Sequence, residues 1–166
     1  MKVLLVDDEP FILQGLSVLI DWAAEGCEIV KMASNGKEAL LYLEDHEADL
    51  VITDIKMPVM SGLELLEQIR GRQISDAFFI ILSGYNDFSY AQKAIRYACM
   101  DYLVKPVQKE ALLELIRKAK SSLAVTEQNA ENERRMQEMQ LKQYIIALLR
   151  GKQNEEELKY VKERLR

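Results

Sequence analysis

Short apolar runs alternate with amphipathic stretches over the first 120 residues, and this alternation constrains the fold more than any other feature of the chain. Strands are predicted at about 2–7, 27–33, 49–54, 78–83 and 101–105, where KVLLV, DLVIT, FFIIL and DYLV are nearly continuous in Val, Ile, Leu and Phe. A strand covered on both faces of a parallel sheet reads this way. Helical spacing predicts helices at about 10–22, 36–45, 62–71, 87–99 and from 108 onward. Strands separated by helices of about ten residues imply right-handed crossovers and a doubly wound parallel sheet with helices on both faces.

Local signals agree with that plan. Pro10 suits a first helical turn, where its missing N–H is not needed. Ile12, Leu16, Leu19 and Ile20 then form one buried stripe. Asn35-Gly36 and Ser61-Gly62 read as caps opening the second and third helices.

Four of the strands end on side chains that chemistry can use: Asp7 with Asp8, Asp54, Ser83 and Lys105. Ligands of open α/β sheets gather outside the carboxyl ends of the strands, so these residues should meet at one edge. One acid would be enough to cap the first helix, whereas an adjacent pair repels itself unless a cation intervenes. Oxygen-only donors favour Mg²⁺, which keeps several waters. Three carboxylates, one divalent cation and one lysine sum to zero charge, a balance suited to metal-assisted phosphoryl chemistry. Taken singly, each residue also has an ordinary reading: Asp54 as a turn acid, Lys105 as a surface ion pair, Ser83-Gly84 as a loop start.

Composition narrows the class. Apolar residues make up 49% and charged residues 30%, a globular balance. No apolar run reaches the roughly 18 residues of a membrane span, and the opening strand leads to the expectation that there is no signal peptide. A cytoplasmic protein with two reduced thiols, Cys27 and Cys99, is the expectation. Residues 1–120 carry 13 Lys and Arg against 19 Asp and Glu, and residues 121–166 carry 9 against 8. Neither part is basic enough to hold bare DNA by charge. His46 reads as an exposed helix-end residue, Trp22 as packing at the end of the first helix, and Arg134-Arg135 as a solvated face.

VDDEP at 6–10, DIKMPVMSG at 54–62, SGY at 83–85 and DYLVKP at 101–106 together resemble the response-regulator receiver domain of two-component signalling. The resemblance implies a flavodoxin-like (βα)₅ fold over residues 1–120 with strand order 2-1-3-4-5. It implies that Asp54 accepts a phosphoryl group from a sensor histidine kinase, and that Asp7, Asp8, Asp54 and the Lys56 backbone carbonyl hold Mg²⁺. Lys105 and Ser83 would contact the phosphoryl oxygens, Lys105-Pro106 would be a cis peptide, and Ser83 and Tyr102 would form the switch. Such a module takes part in its own phosphorylation but turns over no external substrate, so it is not an enzyme. SGYNDFSYAQKAIRYACMDYLVKPV resembles in particular the YesN/AraC-type subfamily, in which a helical segment leads to a helix-turn-helix domain. DNA would then be reached only through a domain absent from this chain.

Three other readings compete. A phosphatase of the haloacid dehalogenase type carries D-x-D-x-T on its first strand, where this chain has D-D-E-P. A nucleotide-binding module would need G-x-G-x-x-G or G-x-x-x-x-G-K-[ST], and neither occurs. The last is a receiver that only dimerises and is never phosphorylated.

Residues 121–166 read as a helical linker or dimerisation extension. Leu112, Ile116, Ala119, Leu123, Thr126 and Ala130 follow a four-three spacing of coiled-coil type, which predicts a weak homodimer. The seam fades through EQNAENERR, apolar character returns at Met136, Met139, Leu141, Ile145, Leu148 and Leu149, and a further helix is expected after Asn154. The chain ends in mid-pattern, as a fragment of a longer protein would.

Overall fold

The computed structural model describes residues 1–84 and 97–149. Five parallel strands form one sheet in the order β2-β1-β3-β4-β5. The strands are β1 Lys2–Val6, β2 Glu28–Ala33, β3 Leu50–Asp54, β4 Phe78–Ser83 and β5 Asp101–Val104. The helices are α1 Pro10–Leu19, α2 Gly36–Asp45, α3 Gly62–Arg72 and α4 Lys109–Leu149. This is the flavodoxin-like arrangement expected from the sequence. Tyr85, most of the helix expected over 87–99 and the one expected after Asn154 lie outside the described residues. Among the described residues no helix is long and apolar enough to cross a membrane.

Period-two alternation divides the core. Val3, Leu5, Leu50, Ile52, Ile80, Leu82 and Leu103 face one side and pack with Leu16 of α1 and Leu112, Ile116 and Ala119 of α4. Leu4, Val6, Val51 and Phe79 face the other side and meet Leu40 and Leu43 of α2 and Leu65, Leu66 and Ile69 of α3. A smaller group, Ile55, Leu63 and Ile81, lies against Tyr102 and Cys99.

The helix starts follow the sequence signals. Asn35 accepts the Glu38 N–H, and Ser61 and Glu64 form a reciprocal capping box. Helix α1 stops at Leu19, three residues short of expectation, because Ile20 turns extended. Trp22 folds back there, and its indole N–H donates to the Leu16 carbonyl at 3.1 Å, satisfying an acceptor that the helix end leaves open. His46 caps α2, exposed and stacked on Tyr42.

The chain divides into two units, Met1–Ser122 and Leu123–Arg166. This corrects the expected seam. Leu112, Ile116 and Ala119 are fully buried in the sheet core of the first unit and are not available to another chain. Leu123 is half-buried, and Thr126 and Ala130 are exposed. A four-three repeat announces a covered face without saying what covers it, and here the first three positions are covered by the chain's own sheet.

Candidate functional site at the carboxyl edge of the sheet

Strand parity brings the charged residues together. Asp7 continues the alternation of Val3 and Leu5, Asp54 that of Leu50 and Ile52, and Lys105 that of Leu103. All three therefore emerge on the α1/α4 side of the sheet. The Lys105 ammonium lies 2.6 Å from Asp54 Oδ1 and 2.8 Å from Asp7 Oδ2. The remaining oxygens take backbone donors: Asp7 Oδ1 accepts the Glu9 N–H at 2.9 Å, and Asp54 Oδ2 accepts the Lys56 N–H at 2.8 Å. Asp7 thus does some of the turn work that a capping acid would, while also holding the lysine.

Asp7 is fully buried and Asp54 is 8% exposed. Burial pushes the Asp54 carboxyl above its usual value; the Lys105 hydrogen bond and charge oppose this, and the nearby Asp7 charge adds to it. Burial also disfavours the Lys105 ammonium, but its two carboxylate partners outweigh that and raise its pKa above the lysine norm. The cation is thus secure, and the Asp54 carboxylate is the group short of compensating charge.

Asp8 is exposed and borders an open groove of about 710 Å³ shared with Lys56, Met57, Pro58, Glu64 and Tyr97. The expected set of three acidic ligands is therefore not drawn together. Among the described residues no three His, Cys, Asp or Glu side chains are grouped to hold a metal. Asp7 and Asp54 turn toward Lys105 and backbone donors, while Asp8 faces the groove. The donor chemistry still fits Mg²⁺, which takes one or two carboxylates and keeps waters. Three carboxylates against one ammonium leave two negative charges for a divalent ion to offset.

Ser83 and Tyr102 occupy the opposite parity. Ile81 pairs with Tyr102 and Ser83 with Val104, so both side chains lie on the face away from Lys105, as the three-residue separation of Tyr102 and Lys105 requires. Ser83 is buried and its hydroxyl donates to the Gly84 carbonyl at 3.0 Å, while its own carbonyl accepts the Lys105 N–H at 2.7 Å. Tyr102 is half-buried against Ile55, Leu63 and Ile81. The Lys105-Pro106 peptide is cis.

The loop after Asp54 is held by backbone contact. A Cβ on Gly62 would overlap the Asp54 carbonyl oxygen, so only glycine lets α3 start there. Val59 has φ 70°, strained for a β-branched residue. One supporting residue escaped the sequence reading: Thr53 is fully buried and its hydroxyl donates to the Asp54 carbonyl at 3.0 Å. Its only signal was a polar residue inside an apolar strand.

Residues 3–117 match the family described as the response regulator receiver domain. The chain is 39% identical over 112 residues to the transcriptional regulatory protein YesN of Bacillus subtilis, covering 68% of this chain and 30% of that protein. It is 42% identical over 115 residues to the transcriptional regulatory protein HptR of Staphylococcus aureus, covering 69% and 44%. The matched part thus spans less than half the length of these relatives. Among solved structures, the receiver domain of AraT, a response regulator from Geobacillus stearothermophilus, superposes with a TM-score of 0.70 at 39% identity over 76% of this chain and 97% of that one. A two-component transcriptional regulator AraC from Clostridium phytofermentans gives 0.68 at 28% identity over 75% and 95%. With its sheet order, its strand-tip acids and lysine, and a family match over most of its length, the chain belongs to the response regulator receiver domains of two-component systems.

Proposed function

We propose that this chain is a phosphorylation-switched receiver module, with Asp54 accepting a phosphoryl group from a sensor histidine kinase. The observation that carries the reading is Lys105, one half-buried ammonium held between Asp54 and Asp7. An Asp54 oxygen attacks the phosphorus of a phosphohistidine; the P–O bond forms, the P–N bond breaks, and the imidazole leaves with a proton. The carboxylate, now a mixed anhydride with phosphate, carries roughly two negative charges in place of one. Lys105 stays within reach of those oxygens as a compact charge on a flexible stem. The Lys56 N–H already points at Asp54 Oδ2 and remains a donor there.

Asp7, Asp8, Asp54 and the Lys56 carbonyl are the oxygen donors that would hold Mg²⁺. Bound there, the ion would neutralise charge on the acceptor and on the incoming group. Ser83 and Tyr102 share one face and one strand pair, which supports a switch in which the Ser83 hydroxyl turns toward the phosphoryl group and Tyr102 repacks. The module acts on itself and turns over no other substrate. The named relatives are transcriptional regulators, so the output is DNA binding by a domain outside this chain, in the cytoplasm.

Intact mass after incubation with acetyl phosphate and Mg²⁺ tests the assignment. A gain of one phosphoryl group, lost in Asp54→Asn and strongly slowed by EDTA, is the expected result. Equal labelling of the variant refutes Asp54 as acceptor. Undiminished labelling in EDTA refutes the metal, and no labelling of the wild type favours a receiver that only dimerises.

A further inference from the structure

The loop after Asp54 carries a strain that its own side chains do not explain. Val59 has φ 70°, in the left-handed region, and its side chain is 78% exposed, so no packing offsets the conformation. Across it the Met60 N–H donates to the Pro58 carbonyl at 2.8 Å, which closes a three-residue turn of the rare, strained kind. A branched residue stays in such a turn only when its surroundings hold it there. The hold comes from outside the loop, at the start of α2. The Gly36 N–H donates to the Met60 carbonyl at 3.0 Å, and a Cβ on Gly36 would lie 2.7 Å from that oxygen and 2.8 Å from Met60 Cγ. At the far end of the loop the Gly62 N–H donates to the Ile55 carbonyl at 3.0 Å.

We propose that Gly36 is a positioning residue for the cation site: by holding the Val59 turn, the start of α2 fixes where the Lys56 carbonyl points. The link between the two is stiff. The ring of Pro58 locks its own φ and confines Met57 before it to extended backbone, so the Lys56 carbonyl follows the turn at Val59. On its other side Lys56 is anchored by its N–H, which donates to Asp54 Oδ2 at 2.8 Å. With both sides held, the carbonyl is set before an ion arrives, and a donor already in place needs less ordering on binding. Alanine at position 36 would push the Met60 carbonyl away and break its hydrogen bond. Val59 would then relax toward the extended backbone that branched residues favour, and the Lys56 carbonyl would move with it. Glycine at position 59 adopts positive φ without strain and would keep the turn unaided. The strain at Val59 is therefore what makes the site depend on α2. The inference rests on the proposed function in one respect, that the Lys56 carbonyl is a metal donor.

Titration of residues 1–166 with MgCl₂, followed through the Lys56 amide resonance and without phosphodonor, reads the affinity, and chemical denaturation without metal reads the fold. Gly36→Ala should raise the Mg²⁺ Kd about tenfold. Leu43→Ala, buried further along the same helix, should lower stability and leave the Kd within about twofold. Val59→Gly alone should keep the Kd, and in the Gly36→Ala background it should recover most of the lost affinity. Pro58→Gly loosens the link at an exposed residue with the clamp intact, so it should raise the Kd severalfold whether or not Gly36→Ala folds. An unchanged Kd in Gly36→Ala or in Pro58→Gly, an equal loss in Leu43→Ala, or a double variant no better than Gly36→Ala would each overturn the positioning role and leave the metal reading standing. A wild type that binds no Mg²⁺ would overturn both.

Discussion

Between Lys109 and Ser122, helix α4 buries Leu112, Ile116 and Ala119 completely, whereas its large apolar side chains from Val125 to Ile146 are 43% to 61% exposed. Both stretches are helical, and both show a three-four spacing of apolar residues. The first is held by the sheet: Leu112 and Ile116 pack with the strand core, Lys118 pairs with Asp101 of β5, and the Lys120 ammonium donates to the Glu25 carbonyl at 2.7 Å. The second has local contacts such as the Arg135–Glu131 pair at 2.6 Å, one turn apart and solvated, worth a few tenths of a kcal/mol at most. What differs is whether a partner surface is supplied by the chain itself.

That contrast predicts its largest effect at Ile116. Truncation to alanine should cost about 3 kcal/mol, because a fully buried side chain leaves a cavity beneath the sheet. Met136→Ala should leave the stability of the monomer within about 0.5 kcal/mol. Chemical denaturation of both variants, below the concentration at which chains associate, measures the pair. Equal losses would show that the two stretches are covered alike.

A second measurement moves to the sheet edge, where backbone packs on backbone. Gly62→Ala should cost about 2 kcal/mol, since its Cβ would overlap the Asp54 carbonyl oxygen, which is backbone and cannot swing aside. Alanine at Gly71, where nothing lies within 4 Å, should be neutral or slightly stabilising through helix propensity. A thermal melt that ranks the two the other way would refute the close approach at Gly62.

Asp54→Asn should have the opposite sign. In the folded protein the Asp54 pKa is raised, so the fold favours the protonated form, and stability falls as pH rises from the usual carboxylate range through the folded pKa. A neutral amide removes that penalty, so the variant should be more stable than the wild type at neutral pH. The variant should also lose the corresponding part of the pH dependence. A variant less stable than the wild type at pH 7 would mean that the Lys105 pair outweighs the burial of Asp54.

The smallest effect is expected at Glu38, a half-buried group whose pKa is lowered to about 2, chiefly by its hydrogen bond to Lys31 and then by the Ser34 N–H. Its contribution is present above the ordinary glutamate range and disappears as pH falls toward about 2. Glu38→Gln should therefore flatten the acid limb of a stability–pH curve and leave the neutral region nearly unchanged. An unaltered acid limb would assign the loss to other carboxylates.

The sequence was sufficient wherever the physics is local or periodic. Alternation along DYLVK determines that Tyr102 and Lys105 leave their strand on opposite faces, because side chains change face at every residue. Asn35 and Ser61 were legible as caps because their partners lie within three residues. Thr53 was not, since nothing in an apolar strand says which way a hydroxyl will donate. The end of α1 was also hidden, because it depends on an indole reaching back to a carbonyl. Tertiary structure alone decided that one ammonium would hold Asp7, 98 residues away, together with Asp54, and that Asp8 would face a groove. It alone decided, too, that Leu112, Ile116 and Ala119 belong to the sheet. A hydrophobic period records that a face must leave water; which surface covers it is a long-range contact, and the chain makes that choice only when the sheet has formed.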